Sequence, residues 1–379
     1  MSKLRIAINQ PRSSYYIGGA ETVSLEHAKS FVALGHTVTF ITIAPQSIGK
    51  EYSSQYVNLK ERYTDIEFVE LSQEPRAAEW YATEPGENRD RWNVESLHYI
   101  APLYSYLIRT DRPFDVMLSY YKFDALVVPR NIVLTNALYL CGIPKSNNEF
   151  MSSYLAMYDT IAAITDETAA YWLQYTNKKI STVATGVDSE RFIPCREPSD
   201  PKRQCVRIAF LGRLIERKGC DLLLDALMIL PAEDLRKIEV VIAGTGPQLR
   251  HLQDKATLLG GGLSINFIGE TDHPEDVLGL ADICIFPSRY GEGLQGVVLE
   301  AMSCGAYVIA SNTATNEAIL GEGRGLCLPC TDVRALARSI HDAISNDRLR
   351  INASGKAREY VIVNYEWNNV SAKLLKELT

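Results

Sequence analysis

Hydrophobic positions in this chain come in blocks with two different rhythms. Residues 4–9 (LRIAIN) are almost continuously apolar, as in a strand covered on both faces, and residues 21–34 then repeat apolar side chains at helical spacing until Gly35. Residues 36–43 follow at once as a second strand, so the opening is a strand, helix, strand unit whose crossover implies a parallel sheet. The same grammar predicts strands at 66–71, 115–119, 132–140, 160–164 and 180–183. Between 185 and 203 the text turns polar and proline-containing (TGVDSERFIPCREPSDPKR), as a linker does.

After that linker the pattern restarts. Strands are predicted at 206–210, 239–243, 264–268, 283–286 and 307–310, with helices at 219–230, 247–259, 275–280 and 296–304. The expected fold class is therefore α/β, with two Rossmann-like doubly wound domains facing a central cleft, residues 1–190 and 191–360. Ligands of open α/β sheets bind beyond the carboxyl ends of strands. The loops after Asn9, Phe210, Ala243, Ile268 and Phe286 are thus where chemistry is sought.

Composition narrows the class. At 379 residues the chain exceeds what one core organises, and 46% hydrophobic with 22% charged residues suits a soluble globular protein. No apolar run approaches a bilayer-crossing length and MSKLRIAINQ reads as a strand rather than a signal peptide, so a cytoplasmic location is expected. The net charge of -7, without a Lys/Arg cluster, argues against nucleic acid as a partner. Residues 1–190 hold 17 Lys and Arg against 22 Asp and Glu, which gives no attraction to anionic lipid headgroups and slightly favours a soluble acceptor over a membrane-associated one. Eight scattered cysteines read as reduced thiols. Cys327 and Cys330 (CLPC) lack the second CxxC or His pair that a zinc site needs; packing is the favoured role, and no metal is expected.

Three constellations carry candidate chemistry. The loop and helix PSRYGEGLQGVVLEAMSCG place Gly291, Gly293 and Gly296 where backbone can approach a ligand, and a helix start with bare amides attracts a diphosphate. Glu300, about one turn into that helix, can accept hydrogen bonds from a vicinal diol such as a ribose, while Glu292 lies on the other side of the phosphates near a sugar. Either glutamate alone is more often a solvated surface residue. Next, GRLIERKG sets Arg213 and Lys218 just after a strand, where both can stabilise charge growing on a departing nucleoside diphosphate; a solvated basic loop is the equal alternative. Gly18 and Gly19 after the first strand are a weaker mark of backbone closing on phosphates. VVIAGTGPQL, with Gly244 and Gly246, begins like a dinucleotide fingerprint, but the third glycine is missing and no suitable acidic residue ends the next strand, so a tight turn is favoured over a nicotinamide site; Gly246 still borders the expected nucleotide.

FLGRLIERKG, VVIAGTGP, INFIGE, ADICIFPSRYGEGLQGVVLEAMSCG and the stretch to GLCLP follow one another between Ile208 and Leu328, preceded by GGAETVSLEHAKSFVALGHTVTFIT and TGVDSERFIP. Their order and spacing resemble the GT-B retaining glycosyltransferases of the group 1 family, over nearly the whole chain. The resemblance implies Arg213 and Lys218 on the diphosphate, Glu292 on the donor sugar and Glu300 on the ribose. It also implies Gly18, Gly19, Gly293 and the amides of Leu294 and Gln295 near the phosphates, and the backbone of Ile268 and Gly269 near the nucleobase. Residues 361–379 would form a helix returning to the N-terminal domain.

The implied reaction moves a hexosyl unit, with retention and without metal or cofactor, from a nucleotide-sugar co-substrate to a polar hydroxyl acceptor that is small, saccharide or lipid-linked. A UDP-sugar is favoured and a GDP-sugar is the second choice. The aromatic segment 77–121 (EWY, RWN, LHYIAPLYSY) would meet a polar acceptor by stacking, the alternative being ordinary packing of an amphipathic helix. A GT-B epimerase or phosphorylase-like enzyme and a non-catalytic nucleotide-sugar binder are the alternatives. Three positions depart from the family: Cys141 stands where many relatives carry His, Gln295 where Gly is common, and Thr185 where Asn is usual.

Overall fold

Both predicted sheets are present in the computed structural model. It describes residues 2–16, 18–73, 89–120, 128–143, 151–195, 205–260, 263–290 and 293–379, with the side chains of 89–97 outside that description. The first sheet runs β3-β2-β1-β4-β5-β6-β7, from β1 (Arg5–Asn9), β2 (Thr37–Ile43), β3 (Ile66–Leu71), β4 (Phe114–Ser119), β5 (Val133–Leu140), β6 (Thr160–Ala163) and β7 (Ile180–Thr182). Every pairing is parallel. Ile6 pairs with Val38 on one side and Val116 on the other, and Ile6, Ala7 and Ile8 are fully buried. That double coverage explains why the strand reads as an unbroken apolar run.

The second sheet, also parallel, runs β10-β9-β8-β11-β12-β13. It comprises β8 (Val206–Leu211), β9 (Ile238–Ala243), β10 (Ser264–Gly269), β11 (Ile283–Phe286), β12 (Tyr307–Ser311) and β13 (Leu326–Leu328). Its core gathers Ile208, Phe210, Leu223, Leu227, Ile242, Ile285, Ile309 and Ile340. Strand order reverses between β8 and β11, as it does between β1 and β4 in the first sheet. At such reversals the crossover helices leave on opposite faces and a crevice opens at the carboxyl ends.

Two compact units result. One is Met1–Thr185 with Trp367–Thr379, the other Gly186–Glu366, joins that fall a few residues from those expected at 190/191 and 360/361. Helix Asp347–Tyr365 belongs to the second unit and helix Trp367–Leu378 to the first. The latter packs on helix Gly19–Ala33, burying Trp367, Val370, Leu374, Leu375 and Leu378. Strand β13 and helices Ala314–Leu320, Val333–Ser345 and Asp347–Tyr365 extend the predicted element list. Within 77–121, Arg89–Leu107 is a helix, whereas 77–88 and 121 lie outside the described residues. Among the described residues no helix is long and apolar enough to cross a membrane.

Candidate functional site

The reversal between β8 and β11 sets the site in the second unit. Those strands pair only through Ile283 with Ile208 and Cys284 with Ala209, so their carboxyl ends run on beyond the shared ladder. Arg213 follows β8 and is exposed; among the described residues no hydrogen bond or ion pair engages its guanidinium. Lys218 closes the 3-10 turn Glu216–Lys218, one residue before Gly219, which has φ +68° and starts helix Cys220–Ile229. A side chain at Gly219 would place its Cβ 2.0 Å from the Pro287 carbonyl oxygen, so the loops after β8 and β11 touch through backbone there.

The loop that carries Arg213 is stitched to the loop after β9. Gly212 N donates to Ala243 O (3.0 Å), Leu214 N to Thr245 O (2.8 Å) and Gln248 N to Leu214 O (3.0 Å). A Cβ on Gly246 would meet Leu214 O at 2.4 Å, and one on Gly244 would meet Gly212 O at 2.0 Å. These glycines let the two loops lie in contact. At the end of β10 the register slips between Phe267 and Gly269, leaving Ile268 41% exposed, while Gly269 O accepts from Gly244 N (2.6 Å). The backbone at Ile268 is thereby released from the ladder at the carboxyl edge, where a base-contacting strand end is expected.

Helix Gly296–Ser303 begins on the same edge. Its N-cap, Gln295, makes no side-chain capping bond; instead Gln295 Nε2 donates to Ser288 Oγ (3.4 Å). No acidic residue occupies the first turn, so the leading amides keep their positive dipole end for an anion. Gly293 precedes it half-buried, and Leu294 is buried. Glu300 Oε1 lies 3.9 Å from the Cβ position of Gly296, which shows the carboxylate turned back over the helix start, as helical side chains lean. Glu292 and Gly291 lie outside the described residues. Arg213, Lys218, Ile268, Gly269, Gly293, Leu294, Gln295 and Glu300 thus share one sheet edge, with Gly246 supporting it.

In the first unit, Gly18 caps helix Gly19–Ala33 with extended backbone, and a Cβ there would come within 2.8 Å of Glu21 Oε2; Gly19 has open space around it. Cys141 follows β5 and is half-buried. Burial, and then the nearby Glu21 carboxylate, push its thiol well above the ordinary value, so it stands as a neutral S–H. The pair Cys327 and Cys330 is likewise neutral, burial pushing the thiols to about 12 and about 11. Among the described residues no three His, Cys, Asp or Glu side chains converge as a metal-ligand group.

Sequence reasoning passed over two groups. His27 is fully buried in helix Gly19–Ala33, with Nδ1 2.6 Å from the Tyr120 hydroxyl and Trp367 packed edge-on at 5.2 Å. Arg289, in the loop after β11, forks onto Asp221 in the first turn of helix Cys220–Ile229, with Nη1 to Oδ1 at 2.7 Å and Nη2 to Oδ2 at 2.5 Å. Its Nη1 also donates to Glu216 O (2.8 Å), and its backbone N to Arg217 O (2.8 Å). Arg289 stands inside the quoted motif, where its signal was a cation one residue after Ser288; its partner lies 68 positions away.

Residues 196–360 match the family model described as glycosyl transferases group 1. It is 31% identical over 218 residues to the GDP-mannose-dependent alpha-(1-6)-phosphatidylinositol monomannoside mannosyltransferase of Mycolicibacterium smegmatis, covering 51% of this chain and 54% of that protein. It is 29% identical over 216 residues to the lipopolysaccharide core biosynthesis mannosyltransferase LpsB of Rhizobium meliloti, covering 53% and 60%. The chain spans about half the length of the curated relatives it matches. Among solved structures, a glycosyltransferase from Rickettsia africae superimposes with TM-score 0.75 at 18% identity, covering 99% of this chain and 98% of that one. Anabaena HepE in complex with UDP gives 0.74 at 17%, covering 99% of each. The fold is the two-domain GT-B fold of these structures.

Proposed function

We propose that this chain is a retaining, metal-independent glycosyltransferase that takes a hexosyl unit from a nucleoside-diphosphate sugar. The observation that carries the reading is the convergence of Arg213, Lys218, the uncapped start of helix Gly296–Ser303 and the back-turned Glu300 on the β8/β11 crevice. A diphosphate on the helix start would lie against two cations, and Glu300 would accept the ribose hydroxyls. As the bond from C1 to the phosphate oxygen breaks, Lys218 and Arg213 stabilise the charge that grows on the leaving diphosphate. The acceptor oxygen bonds to C1 on the same face and passes its proton to that phosphate oxygen.

The relatives named for mannosyl transfer move the preferred donor from a UDP-sugar to GDP-mannose, and their names favour a lipid-linked acceptor. The test is a thermal-shift screen of GDP-, UDP-, ADP- and TDP-sugars followed by donor hydrolysis. GDP-mannose should stabilise the protein most and be slowly hydrolysed. Lys218→Ala should lower turnover by about 10²-fold with little loss of binding, and Glu300→Ala should weaken nucleotide binding. Stabilisation with neither hydrolysis nor transfer would make the chain a binder, and donor conversion without acceptor an epimerase. Unchanged turnover in Lys218→Ala would remove its leaving-group role.

A further inference from the structure

Beyond Cys284 and Ala209 the two central strands share no ladder, so something other than the sheet must hold the carboxyl ends of β8 and β11 together. Arg289 spans that gap. Its guanidinium takes both Asp221 oxygens and the Glu216 carbonyl, and its amide takes the Arg217 carbonyl, so four hydrogen bonds from one residue embrace the segment that carries Lys218. On the far side of Lys218, the Gly219 backbone rests on Pro287. The loop behind Arg289 is fixed in turn: Ser311 Oγ donates to Ser288 O (2.5 Å), and Ser288 Oγ accepts from Gln295, the N-cap of helix Gly296–Ser303. One short chain of contacts therefore runs from the Glu216–Asp221 segment, which includes Lys218, through Arg289 and Ser288 to the helix start.

The pair is well protected, with 21% of the Arg289 and 15% of the Asp221 side chain exposed. Burial alone would raise the Asp221 carboxyl, but the Arg289 hydrogen bonds and charge hold it below its ordinary value. A planar fork on a carboxylate fixes direction as well as distance, which a lysine ammonium does not.

We infer that Arg289 is a positioning residue that, through Asp221, sets the spacing between Lys218 and the amides at the start of helix Gly296–Ser303, and so tunes the site to a diphosphate rather than a monophosphate. The inference rests on the nucleotide-sugar reading above. It departs from that reading by assigning discrimination to a pair that need not touch the ligand.

The test uses the full chain and compares the dissociation constants of GMP with GDP, and of UMP with UDP, by calorimetry. The wild type should bind a diphosphate more tightly than its monophosphate. In Arg289→Lys that preference should fall about tenfold, because the charge stays while the geometry loosens. Asp221→Asn should do the same, and Arg289→Asp combined with Asp221→Arg should restore part of it. Arg207→Lys is the control, since the Arg207–Glu239 pair also ties β8 to β9 but lies at the opposite end of the strands. An unchanged preference in Arg289→Lys, or an equal fall in Arg207→Lys, overturns the inference. If Arg289→Lys does not fold, Asp221→Asn carries the measurement; if neither folds, the pair is structural and the inference fails. Wild-type protein that binds no nucleoside diphosphate would instead defeat the nucleotide-sugar reading.

Discussion

His27 shows how one buried residue ties several elements of the first unit together. Its ring stacks on Phe31 (5.6 Å) and meets Tyr139 and Trp367 edge-on (5.2 Å each), while Nδ1 pairs with Tyr120, the residue that follows β4. Burial lowers its pKa to about 3, so the native ring stays neutral through the physiological range. The sign follows from proton counting. Below about pH 6.5 the unfolded chain protonates this histidine and the native chain does not, so stability is fully present above that pH and falls by about 1.4 kcal/mol per unit on acidification towards pH 3. Between pH 7 and pH 5 the cost from His27 should be about 2 kcal/mol. His27→Phe should therefore show a smaller drop in thermal midpoint between those pH values than the wild type. The His27 ring resonance should also stay flat from pH 8 to pH 4, whereas His341, raised by its hydrogen bond to Asp234, titrates above the usual value. A His27 signal that titrates near 6.5 would mean the ring reaches solvent.

Single elements decide how tightly the loops around the crevice can close. Gly219 and Gly260 both have left-handed backbone, φ +68° and +76°, but a Cβ at Gly260 meets nothing within 4 Å while one at Gly219 strikes Pro287. Gly260→Ala should cost only the backbone strain, about 1 kcal/mol, whereas Gly219→Ala must also push the two loops apart. Thermal midpoints and GDP affinity measured on both variants separate these effects: only Gly219→Ala should lose affinity, and equal behaviour would mean the loop contact is dispensable. The same contrast explains what was legible in the sequence. Strands such as 283–286 announce themselves because both faces are buried, and helix starts beside glycine-rich loops can be read from local chemistry. Helix Asp347–Tyr365 could not, since its buried face is built largely of Ala353, Ser354 and Ala357, small residues that do not stand out from a polar stretch. β13 is three residues long, below any useful period. The Arg289–Asp221 pair depends on β8 and β11 being neighbours, a fact of strand order rather than of spacing.

At the scale of the molecule, the chain leaves its first unit at Thr185, builds Gly186–Glu366, and returns with Trp367–Thr379 to complete the first. The returning helix is an integral layer of that unit. Trp367 closes the aromatic cage around His27, Ser30 Oγ donates to Asn368 Oδ1 (2.8 Å), and Glu377 accepts from Ser181 Oγ (2.5 Å) and Lys179 Nζ (2.8 Å) beside β7. The exposed Lys179 pair contributes little, and the buried ring dominates. Trp367→Ala should therefore cost about 3–5 kcal/mol, as large-to-small changes in cores do. The loss should be local, because every one of those contacts lies in the first unit. Hydrogen exchange by mass spectrometry on the full-length variant should show residues 19–33 and 160–163 exchanging faster while 220–229 and 296–303 keep their protection, and GDP binding should persist. Equal acceleration across both sets would show that the two units unfold as one cooperative body, with the stability of the β8/β11 crevice then depending on a helix that belongs to the other unit.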